Sequence, residues 1–403
     1  MSIVPERARP WLVAVVATLA MSVSYLDRQT LAAIAPTVRE KLLISHERFG
    51  WLTSAFALAY LACAPVSGWL VDRVGARRAL AFAVLLWSAV AAAHGLASSF
   101  AVLVVLRVAL GAAEAPSFPA AAQTIRGALP PAQRSAGFGL LFTGSSIGAM
   151  VAAPLAVRIT ADHGFRYAFV GTAIVGLLWL PVWLVVTSGR PQAPRSEGPV
   201  ARPALGPLLR KPAMLRQAII VATSAPAIML VMNWYPQYLT EASGVPKDAV
   251  GHYLWLPPLM FDASAVTFGF VASARDARRE GASHWGLMLL AASMTATLAL
   301  VPLAPGPWSR VVLAGVSMAG GGGMYVLGTA DMMRRVPTEL VATAGGLSAA
   351  VQSIVQIAAS PILGRVLDRS HAWSGALVVL GALAIPGAVA FAWLPAEPAR
   401  AGA

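Results

Sequence analysis

The sequence predicts an all-α polytopic membrane protein with twelve transmembrane helices arranged as two six-helix halves. Three observations carry that expectation. Of 403 residues, 58% are hydrophobic and only 12% charged, and the mean hydropathy is +0.69. A soluble domain carries about 25% charged residues, so lipid must solvate most of this apolar surface. The apolar residues fall into twelve runs of about twenty, each long enough to cross a bilayer. Basic residues alternate between the intervening loops, heavy then light, as the positive-inside rule expects.

The first run, 11–35, follows a basic stretch that resembles the start of a signal peptide. It is too long for one, and it carries Asp27-Arg28 where a small-residue cleavage site would be needed. It therefore reads as the first span. The others of the first half are 50–71, 79–97, 100–122, 135–157 and 166–187. Residues 188–216 hold six prolines and six basic residues, a composition that cannot span lipid and marks a linker. The second half gives 217–239, 249–271, 284–304, 309–332, 342–366 and 373–394. The expected division is thus an N-terminal bundle (1–187), a cytoplasmic linker (188–216) and a C-terminal bundle (217–403). With both termini in the cytoplasm, 19 basic residues lie on that side and nine on the other, which fixes the orientation. Trp11, Trp51, Trp285, Trp308, Trp373 and Trp393 fall near span ends, as interfacial anchors do.

An internal repeat supports the two halves. Gly68 at the end of the second span and Arg77-Arg78 after it recur 201 residues on as Gly269 and Arg278-Arg279, although Ser273 stands where Asp72 would. Pro154 and Arg158 of the fifth span are echoed by Pro361 and Arg365 of the eleventh. Parallel halves of this kind place a solute site at their interface near the midplane.

Composition also excludes other classes. The formal charge of +13 would suggest nucleic acid in a soluble protein; here topology accounts for it, and no nucleic-acid partner is expected. The single cysteine, Cys63, cannot form an intramolecular disulfide. No His, Cys and carboxylate group has metal-ligand spacing. An enzyme would show a nucleophile beside a base or a phosphate loop, and neither is evident.

Charged residues inside spans are expensive and mark functional sites by default. Asp27 and Arg28 sit late in span one; an ion pair snorkelling to the interface is the plainer alternative. In span four, Arg107, Gly111 and Glu114 lie at i, i+4 and i+7, one helix face. Gly111 lets another helix approach closely. Arg107 and Glu114 are two turns apart, about 10.5 Å, too far to pair directly. A carboxyl in a low-dielectric interior favours its neutral form, the property a proton-coupling site needs. Arg28 beside Asp27 would favour the carboxylate instead, if the two side chains approach. In the second half, Asn233-Trp234-Tyr235-Pro236-Gln237 breaks span seven, and Asn233 can face a cavity. Gln352 and Gln356, one turn apart in span eleven, can hydrogen-bond a polyol. Gly320 to Gly323 in span ten is a poor helix segment, either a gating hinge or a site of tight packing.

Gly68 to Arg78 resembles the loop signature of the major facilitator superfamily, G-x-x-x-D-R-x-G-R-R in outline, with Ala76-Arg77-Arg78 as a variant ending. The resemblance implies the major facilitator fold, two pseudo-symmetric six-helix bundles, with Asp72, Arg73 and Arg77 as gating residues. Ser24-Tyr25-Leu26-Asp27-Arg28, Ala59-Tyr60, and Arg107-x-x-x-Gly111-x-x-Glu114-x-Pro116-x-x-Pro119-Ala120 resemble the anion:cation symporter family, which includes hexuronate, galactonate and sialin-type carriers. It implies that Arg28 binds the carboxylate of a small organic anion with Tyr25 and Tyr60 as hydrogen-bond donors. Asn233, Gln352 and Gln356 are candidate substrate contacts from the second half. Asp27 and Glu114 carry protons, and Arg107 is structural. Ser145 stands where sugar-acid carriers can use a glutamine. The expectation is a multi-pass protein of the bacterial inner membrane, acting as a monomer in the lipid bilayer. It takes no cofactor and couples to H⁺, with Na⁺ the other candidate ion. A proton- or anion-coupled exporter is the alternative within transport.

Overall fold

The computed structural model describes residues 9–188, 205–278, 283–337 and 340–394. No strand occurs among them, and twelve helices are long and apolar enough to cross a membrane. In chain order these are α1 (Pro10–Ala33), α2 (His46–Val74), α3 (Ala76–Leu96), α4 (Phe100–Ala128), α5 (Pro131–His163) and α6 (Phe165–Val186). They continue as α7 (Pro212–Glu241), α8 (Val250–Arg278), α9 (Trp285–Leu303), α10 (Gly306–Arg335), α11 (Thr343–Ser370) and α12 (Trp373–Trp393). The protein is a multi-pass membrane protein. Every expected span is present, and several run on past the apolar stretch by a turn or more. Backbone hydrogen bonding continues where hydropathy falls, because a polar helical turn at the interface still satisfies its own amides. The prolines of the expected linker, apart from Pro207 and Pro212, lie outside the described residues, as does Arg279.

The helix ends follow from local chemistry. Ser45 caps α2 by accepting from the Arg48 amide at 3.2 Å, satisfying one of the amides a helix start leaves open. Gly75, at φ 90°, ends α2 and turns the chain into α3; Gly164, at φ 95°, does the same between α5 and α6. Only glycine adopts that backbone without strain, so these helices reverse without intervening loops. In α7 the helix widens into a π turn over Leu230–Trp234 and restarts with Pro236 in its first turn, the break that the proline predicts.

The chain divides into two compact units, Met1–Gly198 with Val245–Trp255, and Pro199–Gly244 with Leu256–Ala403. In the first, α1 and α5 touch through small residues. A Cβ on Gly148 would run into the Ser22 carbonyl, and one on Gly144 into that of Thr18. Close backbone approach replaces the hydrophobic effect as the means of packing in lipid. Trp179 and Trp183 stack at 5.1 Å, and Trp179 donates to the Val16 carbonyl at 2.8 Å, tying α6 to α1. Gly251 packs against Ala153 and Pro154 of α5, and Lys247 pairs with Glu40.

In the second unit the four glycines 320–323 lie within one unbroken helical stretch, Gly306–Arg335. Each faces a different close neighbour: Ala291 and Thr295 at Gly320, Ile228 at Gly321, Phe261 at Gly322 and Phe268 at Gly323. The run is therefore a packing surface on several sides of α10. Of the expected anchors, Trp51, Trp285, Trp308 and Trp393 are exposed. Trp373 is not: it is buried and donates to Glu241 at 3.1 Å.

Candidate functional site

The first unit gathers the charged residues of α1 and α4 into two adjoining clusters. Arg28 leads the first. Its guanidinium lies over the rings of Tyr25 (4.6 Å), Phe56 (4.6 Å) and Tyr60 (5.2 Å). Tyr25 is one turn back on the same face of α1; Phe56 and Tyr60 are one turn apart on α2 and stack at 6.1 Å. Arg28 Nη2 donates to Glu114 Oε2 at 2.8 Å, and Ser24 Oγ donates to the same oxygen at 2.7 Å. Glu114 is fully buried, while the Arg28 side chain keeps 21% of its surface exposed. Arg28 Nε and Glu114 Oε1 make no hydrogen bond. The cation is thus held by one bond and three ring faces, and has donor capacity left for a second anion.

Two sequence features place these groups. A Cβ on Gly111 would collide with the Phe56 carbonyl and sit 3.1 Å from Ala59 Cβ and the Tyr60 amide. Only glycine lets α4 press against the stretch of α2 that carries both rings. Glu114 ends the first helical segment of α4, Phe100–Glu114, and the helix restarts at Ser117 after Ala115-Pro116. The proline fixes that break, because it has no amide to continue the ladder.

Asp27 belongs to the second cluster. Neighbouring helix positions point about 100° apart, and the structure turns Asp27 away from its neighbour, into the interior of the unit. The partner of Arg28 is therefore Glu114, and the approach of Arg28 to Asp27 considered from sequence does not occur. Asp27 is 2% exposed, and neither carboxylate oxygen makes a hydrogen bond. Trp87 of α3 and Thr172 of α6 border it, with Arg107 of α4 as the nearby positive charge. Arg107 is also buried, with Nε and Nη2 unbonded, and it has no direct bond to Glu114, as their spacing requires.

The loop-signature residues tie helix ends together. Gln123 of α4 donates to Asp72 at 2.9 Å, and Arg73 lies over the Trp69 ring at 4.3 Å. Arg77 donates to the Leu184 carbonyl of α6 at 3.3 Å, while Trp183 donates to the Arg77 carbonyl at 3.1 Å. In the second unit the corresponding helix ends are joined by Asp276 of α8 and Arg334 of α10, at 2.6 Å. The acid missing at Ser273 is thus supplied three residues later, which a fixed offset cannot find. Arg216 and Asp331 form a buried pair nearby, and Arg335 reaches Asp331 at 3.0 Å. Asn233 is half-buried in the π turn of α7; Gln352 and Gln356 are half-buried one turn apart on α11. Ser145 donates back to the Phe142 carbonyl of its own helix. Sequence reasoning passed over Phe56, Trp87, His94 and Thr172. Phe56 lies at i−4 from Tyr60, and Trp87 and His94 share a face at i and i+7, signals that mark a surface without saying what it meets.

The sequence profile described as Major Facilitator Superfamily matches residues 17–360. The chain belongs to the major facilitator superfamily. The curated relatives that it matches are named transporters. The hexuronate transporter of Escherichia coli (strain K12) is 28% identical over 279 residues, covering 65% of this chain and 64% of that protein, just under two thirds of its length. The D-galactonate transporter of Escherichia coli O6:H1 is 25% identical over 99% of this chain and 98% of its own. Among solved structures, a bacterial homologue of the human lysosomal transporter Spinster shares the fold, with a TM-score of 0.74 at 18% identity, covering 97% of this superfamily member and 95% of that chain.

Proposed function

We propose that this protein is a secondary active transporter that carries a small organic anion together with protons by alternating access. The observation that carries the reading is the Arg28–Glu114 pair: a partly exposed guanidinium bonded through a single nitrogen to a fully buried carboxylate. An incoming carboxylate can take the remaining donors of Arg28 bidentately and displace Glu114. A buried carboxylate that loses its cation is costly to keep ionised, so Glu114 then takes a proton. Anion binding and proton uptake are coupled through one shared cation. Asp27, ionisable and without a hydrogen bond, is the second proton carrier.

Tyr25 and Tyr60 serve this site mainly through their rings, which lie against the guanidinium and favour its charge. Asn233, Gln352 and Gln356 are the polyol-reading candidates from the other half. Asp72, Arg73 and Arg77 act as a conformational latch through the helix ends they tie together. Hexuronate and galactonate in the names of the relatives make sugar acids the first class to try. The bias of basic residues supports a cytoplasmic position for both termini, with the carrier acting as a monomer without a cofactor. H⁺ is the coupling ion of choice, since a buried carboxyl that loses its cation favours its protonated form.

A thermal-shift screen of the purified protein against organic acids, D-glucuronate and D-galactonate included, at two pH values tests the reading, because a ligand of the native state raises stability with its affinity. Stabilisation by a carboxylate that strengthens at the lower pH supports it. Uptake by Arg28→Ala in proteoliposomes at the wild-type rate would falsify it.

A further inference from the structure

His94 is a buried titratable group that the mechanism above leaves without a task. It stands at the end of α3, 1% exposed. Its Nδ1 lies 2.8 Å from the Val90 carbonyl. A carbonyl only accepts, so Nδ1 carries the proton and Nε2 is the acceptor nitrogen. The Phe169 ring of α6 packs at 5.4 Å. The next residue, Gly95, lies so close to α6 that a Cβ would be 2.7 Å from the Arg166 carbonyl, which fixes the turn that carries the imidazole. Nε2 itself is buried with no hydrogen-bond partner.

Arg107, on the neighbouring α4, has Nε and Nη2 as buried donors without partners. The two side chains converge for a geometric reason. Helical side chains lean toward their own N-terminus. Helices α3 and α4 form an antiparallel hairpin closed at residues 97–99, so His94 leans back along α3 while Arg107 leans up α4 toward it. Trp87, two turns before His94 on the same face, borders Asp27, and α6 sets Phe169 and Thr172 one turn apart on the other side. One column through the first unit therefore holds an acceptor, a cation and an acid.

A guanidinium and a carboxylate in one dry interior attract strongly, yet Arg107 and Asp27 are not bonded. We propose that His94 is a positioning residue for Asp27: its Nε2 and the Arg107 guanidinium share one bridging water, which keeps that cation off the Asp27 carboxylate so that Asp27 can exchange a proton. The inference rests on the proton-coupled reading of Asp27 and adds the device that keeps the acid available. The groups facing the column are Arg107 and Glu114 from α4, Asp27 from α1, Trp87 from α3, and Thr172 and Phe169 from α6.

The test needs no substrate. Infrared difference spectra of the purified full chain, titrated with pH, report the carbonyl stretch of protonated carboxylic acids, and Asp27→Asn identifies the band of Asp27. With the acceptor removed in His94→Phe, Arg107 collapses onto Asp27 and the protonated-acid band disappears at a pH about 1–3 units lower than in wild type. His94→Gln, whose amide oxygen can replace Nε2, titrates like wild type. In an Arg107→Gln background, His94→Phe no longer moves the band. His94→Leu serves equally if His94→Phe does not fold. A folded His94→Phe or His94→Leu protein with the wild-type midpoint overturns the proposal, as does a shift that persists without Arg107. If Asp27→Asn removes no band, the proton-coupled reading of Asp27 fails first and this inference falls with it.

Discussion

Replacing Glu114 with glutamine should make the protein bind its anion more tightly while abolishing accumulation. Wild-type Glu114 holds Arg28 Nη2 at 2.8 Å and competes with the substrate for it. Glutamine is nearly isosteric, so its oxygen still accepts from Ser24 and Arg28, but as a neutral acceptor. The bond keeps its charged guanidinium donor, but the attraction between two opposite charges is lost, and close charge pairs couple by about 1.5 kcal/mol or more. The variant thus competes less strongly by about 1.5 kcal/mol or more, or at least roughly tenfold in Kd at tenfold per 1.4 kcal/mol. Isothermal titration with the acid that gives the largest thermal shift measures this directly. Wild-type affinity should rise toward that of the variant as pH falls, because a protonated Glu114 resembles glutamine. Proteoliposomes with Glu114→Gln should still exchange labelled anion for unlabelled, yet no longer concentrate it against a proton gradient. Unchanged or weaker binding by a folded Glu114→Gln protein would refute the competition on which the coupling depends.

Other substitutions probe separate parts of the structure. Arg28→Lys keeps the charge but loses the guanidinium fork that lies against the Tyr25, Phe56 and Tyr60 rings and one charge-assisted bond; at about 1.5–3 kcal/mol, binding should weaken at least about tenfold, as read by the same titration. Gly320→Ala would push a Cβ into the Ala291 carbonyl and the Thr295 amide, backbone that cannot yield. Overpacking of about 1–3 kcal/mol should outweigh the gain of up to about 1 kcal/mol in helix propensity, and the thermal unfolding midpoint should fall. Gly346→Ala, in a helix with nothing within 4 Å of the new Cβ, should raise it; equal responses at the two sites would contradict the packing role of the glycine run. His284, between α8 and α9, is held below the ordinary histidine range by burial, against the opposing pull of Asp276. The unfolded chain therefore gains a proton below about pH 6.5 that the fold resists, so stability present at neutral pH is lost as pH falls. His284→Gln should flatten that decline in a thermal-denaturation series, and an unaltered slope would assign it to other groups.

How far each feature was legible depended on its range along the chain. The loop signature could be read because Asp72, Arg73, Gly75 and Arg77 lie within six residues across the junction of two helices, whereas their partners Gln123 and Leu184 lie far along the chain. Tyr25 and Arg28 could be paired on one face from helical spacing alone. The Phe56 wall could not: it joins the site because Gly111, 55 positions later, admits α2 to that depth. Asp276 escaped the repeat because an offset measures sequence, while the Asp276–Arg334 pair depends only on two helix ends meeting.

Hydropathy, charge placement and helix breakers are local properties, and they settled by themselves that this chain crosses the bilayer twelve times in two related halves. Which acid meets Arg28 is a question of rotation and depth between α1 and α4. Only tertiary packing answers it, because adjacent residues on a helix face different neighbours, and the close approach at Gly111 determines that Glu114 takes the cation while Asp27 is left unbonded in the interior.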